Sequence, residues 1–343
     1  MNTYFKQIDA LRAWAVLTVV FGHMPVISGD NVRYLSELAH YLPGVPLFFC
    51  ISGFLITLII INNRNQDWKS FLKSFYARRF LRIFPIYYLT ILVLFITMEA
   101  YRSWCLYDIF YVSNIKIGLM GSFNGVISAH FWSLAVEEQF YLFWPILLIL
   151  FRRREFVLIG LVFVTAFLIS HINDYSFLMI RTLVPVCYLS LGGMIAYLYF
   201  YYPQVIKKLK NITPWLILVG LILVGFISMD WIKISKIHFS LIFIPILLIQ
   251  FIYGFENKLL KTVFENPLVI HIGKISYGIY LYHLFAIYPA LQIKNMFHLS
   301  FLDNPQMMQI FKICLSILIA SLSWTFFESR INKLKSHFSY SKN

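Results

Sequence analysis

The stretch Phe131–Phe151, FWSLAVEEQFYLFWPILLILF, places two adjacent carboxylates, Glu137 and Glu138, inside an apolar run with no Lys or Arg to neutralise them. About 20 mostly apolar residues are enough for a helix to cross the hydrocarbon core of a bilayer. An ionisable group at that depth is costly, so it usually faces a polar cavity and has a task there. Comparable runs recur along the chain, and ten spans are predicted. They are Leu11–Ile27, Val45–Ile61, Ile83–Glu99, Phe131–Phe151, Phe156–Ile172, Arg181–Tyr202, Pro214–Asp230, Ile237–Tyr253, Ile275–Ile293 and Met307–Phe327. The fold class expected is all-α, a polytopic membrane helix bundle of about ten transmembrane helices.

Composition agrees with that class. Hydrophobic residues make up 60% of the 343 and charged residues 13%, which excludes an ordinary soluble domain. With the N-terminus in the cytoplasm, 20 of the 29 Lys and Arg fall in inner segments and six in outer ones, with Arg12, Arg181 and Lys312 inside helices. That bias predicts both termini inside. The net charge of +14 is then a consequence of topology, and no nucleic-acid partner is expected. The first apolar run lacks a small-residue cleavage site and reads as part of the bundle rather than a signal peptide. Without linkers, low-complexity stretches or repeats, residues 1–343 read as a single domain, with 327–343 a short cytoplasmic tail. The four cysteines and nine histidines show no metal-ligand spacing, so no metal is expected.

Several polar groups could carry chemistry. Arg12 and His23, eleven residues apart on the first span, share one face about 16 Å apart along the axis. Running inward, the fourth span would bring Glu137 and Glu138 to the depth of His23, and a carboxylate there would orient the imidazole for general-base work. Glu138 alternatively faces the outer interface and is simply solvated. Arg78, Arg79 and Arg82 form a dense basic cluster at the inner side; Arg79 and Arg82 share a face and suit bidentate phosphate binding, unless they only anchor the topology. Ser52–Gly53 read as a close helix contact. His283 sits mid-span as a pore residue or a packed one, and Ser133 lies one turn before Glu137.

Taken together, Arg12 with His23, PLFFCISGFLI (Pro46–Ile56), ARRFLRIFP (Ala77–Pro85), FWSLAVEEQFYLFWP (Phe131–Pro145) and SYGIYLYH (Ser276–His283) resemble the acyltransferase-3 family of bacterial integral-membrane acyltransferases. The resemblance runs through nearly the whole chain, in order. It implies transfer of an acyl group, commonly acetyl, from cytoplasmic acetyl-CoA to a carbohydrate hydroxyl on the outer side of the inner membrane. By position, His23 resembles the catalytic histidine and Arg12 its basic partner. Arg79 and Arg82, helped by Arg78, match the pair that engages the CoA phosphates, and Glu137 matches the family's carboxylate. Ser133, Glu138 and His283 remain candidate pore residues. Near the C-terminus Arg330 stands where relatives carry proline, so no role passes to Glu328. The expected form is the short one, without the esterase-like domain of many relatives, as in enzymes that O-acetylate lipopolysaccharide O-antigen. The acceptor would be a membrane-associated polysaccharide or lipid-linked sugar. The rival reading, a transporter of small molecules or lipid-linked sugars, would require paired broken helices in two related halves.

Overall fold

The computed structural model describes residues 5–23, 41, 43–172, 177–229 and 231–340, which are mostly helical and contain no strand. Among the described residues, eight helices are long and apolar enough to cross a membrane. Helices of the expected spans are labelled in chain order: α1 (Lys6–Gly22), α2 (Gly44–Asn62), α3 (Trp68–Thr97), α4 (Phe131–Leu150), α5 (Glu155–Ile172), α6 (Phe177–Tyr201), α7 (Pro203–Ser228), α8 (Lys236–Tyr253), α9 (Ser276–Tyr282), α10 (Ile287–Met296) and α11 (Pro305–Ser323).

Four spans differ from expectation, the seventh because α7 already begins at Pro203 and contains Lys207, Lys208 and Lys210. The 17 residues of α1 extend about 26 Å, short of a full crossing, and the predicted continuation Met24–Ile27 lies outside the described residues, as does Arg33 of the first outer segment. The basic residues Lys73, Arg78, Arg79 and Arg82 belong to α3 itself, whose 30 residues rise about 45 Å. The ninth span is not one helix: α9 ends at Tyr282 and α10 begins at Ile287, with a turn at His283–Ala286 between them.

The chain divides into two compact units. One comprises residues 49–206 and 328–343. In it α2 and α6 cross at glycines: a Cβ on Gly53 would strike the Leu189 carbonyl, and one on Gly192 the Cys50 carbonyl. Close approach of backbones through small residues is the usual way for apolar helices to pack without a hydrophobic driving force. The Nε1–H of Trp144 on α4 donates to Thr57 Oγ1 of α2 at 2.8 Å, adding a directional bond to that packing. Between α3 and α4 the chain forms short helices Glu99–Arg102, Cys105–Ile109 and Ser113–Met120. They bury Asp108 completely, with its carboxylate accepting from Tyr101 (2.9 Å) and Ser128 and its carbonyl from Tyr87 (3.0 Å).

Burial pushes the Asp108 carboxyl up to about 6, against the lowering effect of the Ser128 and Tyr101 hydroxyls. A carboxyl that holds its proton more tightly when folded stabilises the fold at low pH. That contribution is complete below about pH 4 and is lost as pH rises through about 6, a difference of roughly 3 kcal/mol. The purified protein in detergent is therefore expected to lose thermal stability across this window, and Asp108→Asn to flatten the change. Parallel pH curves for the two proteins would refute the assignment.

The other unit comprises residues 2–48 and 207–327. Here α1 packs against the short helix Pro267–Lys274, α8 and α9. A Cβ on Gly273 would meet the Asp9 carbonyl, and one on Gly44 that of Ala15, so α1 is flanked closely on both sides. Val224, Ile227, Phe239 and Phe243 join α7 to α8, and Ala290 and Met308 join α10 to α11. This packing fixes the end of α1 and the turn after α9, which carry the two histidines discussed next.

Candidate functional site

In the first unit the polar face of α4 is satisfied residue by residue. Glu137 Oε1 accepts from Ser52 of α2 and from the Tyr141 hydroxyl one turn on, the latter at 2.7 Å. The Tyr141 and Ser52 hydroxyls are themselves 3.0 Å apart. Hydrogen bonds to an ionised acceptor contribute about 1.5–3 kcal/mol each, so this carboxylate is firmly held. Glu138 points elsewhere, with Glu137 and Arg79 as its charged neighbours, and it is partly buried rather than solvated. The Gln139 amide donates to the Tyr111 carbonyl (2.7 Å) and Asn114 Oδ1 (3.0 Å). Ser133 is buried, and its hydroxyl bonds the His130 carbonyl at 3.2 Å.

Arg79 connects α3 to this cluster. Its guanidinium lies 5.0 Å from the Tyr141 ring centre and 5.8 Å from that of Phe75. A phenol donating to a carboxylate has an electron-rich ring, which strengthens its attraction for a cation above it. Glu137, Tyr141 and Arg79 thus form a chain in which each member orients the next. Arg82, three residues on, is partly buried on the same helix. Arg78 has other work: it donates to the carbonyls of Lys335 (2.9 Å) and Phe338 (3.3 Å) and lies 5.1 Å from the Tyr340 ring, which stacks on Phe71. The C-terminal segment is thereby clasped to α3, a role that sequence reading did not foresee for either partner.

In the second unit His23 ends α1, its backbone N–H bonding the Val20 carbonyl at 3.3 Å. Its Nδ1 lies 2.8 Å from the Val19 carbonyl. A carbonyl only accepts, so Nδ1 carries the proton and Nε2 holds the lone pair of the neutral ring. His283, at the turn after α9, repeats this arrangement, with Nδ1 2.6 Å from the Tyr280 carbonyl. The two rings meet edge to face at 5.0 Å between centres. His23 is exposed and His283 buried, and both line one cavity with Val20 and residues of α11. Arg12, nearly two turns into α1, sits 3.9 Å from the buried carboxylate of Asp9, a pairing within the helix.

The expected site residues therefore fall into two groups. Glu137, Glu138, Arg79 and the tail-bound Arg78 share one unit with Arg82 and Ser133, while His23, His283 and Arg12 belong to the other. The orienting bond seen at His23 comes from the Val19 carbonyl. Ser52 is a hydrogen-bond donor to Glu137 as well as a neighbour of the packing glycine Gly53. Sequence reading missed the roles of Tyr141 and Asp108, and of the cavity residues of α11 it noted only Lys312, as a charge within a span; Tyr141 was signalled by its place one helical turn after Glu137.

Comparison with known proteins identifies the family. A family model described as an acyltransferase domain matches residues 5–326. A Staphylococcus aureus (strain COL) protein provisionally named an O-acetyltransferase is 30% identical over 96% of the chain and 58% of its own length. The O-acetyltransferase OatA of Staphylococcus aureus (strain NCTC 8325) is 29% identical over 96% of the chain and 57% of its own length. The chain thus spans somewhat over half of these relatives. No solved structure matches. With the family model covering both units and every motif residue discussed above, the chain belongs to the acyltransferase-3 family of multi-pass membrane proteins.

Proposed function

We propose that the protein is an inner-membrane O-acetyltransferase that moves an acetyl group from cytoplasmic acetyl-CoA to a sugar hydroxyl of a surface polysaccharide, such as lipopolysaccharide O-antigen. The observation that carries this reading is His23, a histidine with Nδ1 tied to a carbonyl and Nε2 left as the basic nitrogen at a cavity, in a chain of this family. The naming of its relatives as O-acetyltransferases supports the acetyl group. His23 Nε2 either takes the proton of the attacking hydroxyl or carries the acetyl group briefly. Arg79 and Arg82 hold the phosphates of the donor as forked, always-charged groups. Arg12 keeps Asp9 neutralised beneath the catalytic end of α1. The transporter reading expects broken helices in pairs; among the described residues, one expected span is interrupted.

Mass spectrometry of surface polysaccharide from cells with and without the gene tests the reaction. One added acetyl group per modified sugar, dependent on the gene, is the expected result, and identical polysaccharides would overturn the proposal. The donor site has its own test. Exchanging both Arg79 and Arg82 for Lys keeps charge but loses the fork, and acetyl-CoA affinity is expected to fall about tenfold. Unchanged affinity in the double variant would reduce the cluster to a topology anchor.

A further inference from the structure

The cavity at His23 contains a cation with no assigned role. Lys312 of α11 lines it with Gln309 and Ser316, at positions that fall on one helical face. Its ammonium donates to Gln309 Oε1 at 3.0 Å, and among the described residues no carboxylate lies within ion-pairing distance of it. The Ser316 hydroxyl is spent on the Lys312 carbonyl at 2.7 Å. Among the described residues the lining thus offers two imidazoles, an ammonium and an amide, with no acid. A half-buried ammonium in an apolar helix is expensive to keep without a partner. An electropositive wall beside a basic nitrogen is suited to receive negative charge that arises during a reaction.

We propose that Lys312 is a catalytic residue that stabilises the oxyanion of acetyl transfer at His23, with Gln309 holding its ammonium in place. This rests on the acetyl-transfer reading above. The acceptor oxygen forms a bond to the acetyl carbonyl carbon while its proton passes to His23 Nε2. The carbonyl oxygen then bears the negative charge that Lys312 faces. As the carbonyl re-forms, the carbon–sulfur bond of the thioester breaks, and the departing thiolate takes the proton from the imidazolium. If the acetyl group rests first on His23, the same oxyanion arises in forming and in breaking the carbon–nitrogen bond.

The test uses membranes from the producing cells, which carry their own acceptor, and labelled acetyl-CoA as donor. Lys312→Met is expected to lower the maximal rate about 100-fold at an unchanged donor KM, the scale seen when one oxyanion donor is removed. Lys312→Arg, which keeps the charge, should recover much of that rate, and Gln309→Leu should show a smaller loss of the same kind. Donor binding and membrane abundance of each variant establish that it is folded. A normal rate in folded Lys312→Met overturns the assignment. So does recovery of its rate on adding extracted polysaccharide, which would make Lys312 an acceptor-binding group. Should Lys312→Met fail to accumulate, the Gln309→Leu rate decides, and an unchanged value there also overturns it. His23→Ala separates the two levels: activity in that variant removes the acetyl-transfer site itself, whereas an inactive His23→Ala beside a normal Lys312→Met removes the lysine alone.

Discussion

A His23→Ala variant is expected to accumulate in the membrane at normal levels and to transfer no measurable acetyl. The structural cost is small because His23 is exposed at the end of α1 and its described hydrogen bond is to a carbonyl of its own last turn. The chemical cost is large. General-base catalysis by a positioned side chain contributes about 10²- to 10⁴-fold, and a covalent route through Nε2 would be lost altogether. Acetyl content of surface polysaccharide, read beside an immunoblot of the membrane fraction, measures both quantities. Near-normal acetylation would remove His23 from the mechanism. Protein quenched in neutral denaturant and freed of small molecules at once after brief exposure to labelled acetyl-CoA distinguishes the two routes, since an acetyl-histidine retains label there and loses it to hydroxylamine, whereas direct transfer leaves none. His283→Ala completes the comparison: its ring touches that of His23, so a partial loss there would show that one imidazole holds the other in position.

Most of the helices could be read from the sequence, because runs of apolar residues long enough to cross a bilayer have few alternatives to helix. The interruption of the ninth span could not. Pro289 lacks an N–H and crowds the carbonyl four residues back, at Phe285, which is where the turn lies. Yet Pro85, Pro145, Pro185, Pro214 and Pro245 all sit inside continuous helices, so proline alone does not mark a break. Packing against neighbouring elements decides which prolines interrupt, and hydropathy carries no record of that. Helix ends were similarly hidden. The basic stretch before Ile83 reads as an inner loop by charge, but Lys, Arg and Phe are compatible with helix, and α3 begins at Trp68 with Asp67 capping its first turn through the Ser70 N–H. The importance of Glu137 and His23 was legible as polarity out of place. Lys312 was noticed as a charge within a span, but its cavity is formed by segments far apart in the chain, and only packing brings them together.

Glu137 and Glu138 provide the second large effect, and the structure gives it a different basis from the one sequence suggested. Consecutive positions point about 100° apart, so the two carboxylates cannot share one environment. Sequence reading made Glu138 the milder site because it could be solvated at an interface. In the structure it is partly buried beside Arg79, while Glu137 collects both hydroxyls, of Ser52 and Tyr141, on a single oxygen. A glutamine at 137 can keep its carbonyl oxygen where Oε1 is, so Glu137→Gln preserves both hydrogen bonds and removes the charge. What weakens is the chain from carboxylate through the Tyr141 ring to the Arg79 guanidinium. The ionic part of such a bond is worth about 1 kcal/mol, so losing it from both costs about 2 kcal/mol, which corresponds to roughly 30-fold in acetyl transfer at limiting donor. Tyr141→Phe breaks the same chain one link later and should lower the rate in the same direction. Glu138→Gln instead removes a negative neighbour of Arg79 and leaves the guanidinium freer to meet phosphate, so transfer at limiting donor should change by only a few-fold. Rates for the three variants at limiting and saturating acetyl-CoA decide the matter. Equal losses at 137 and 138 would mean that the carboxylates act as one unit around Arg79. A greater loss at 138 would show that the charge facing Arg79, rather than the one held by Ser52 and Tyr141, organises the donor side.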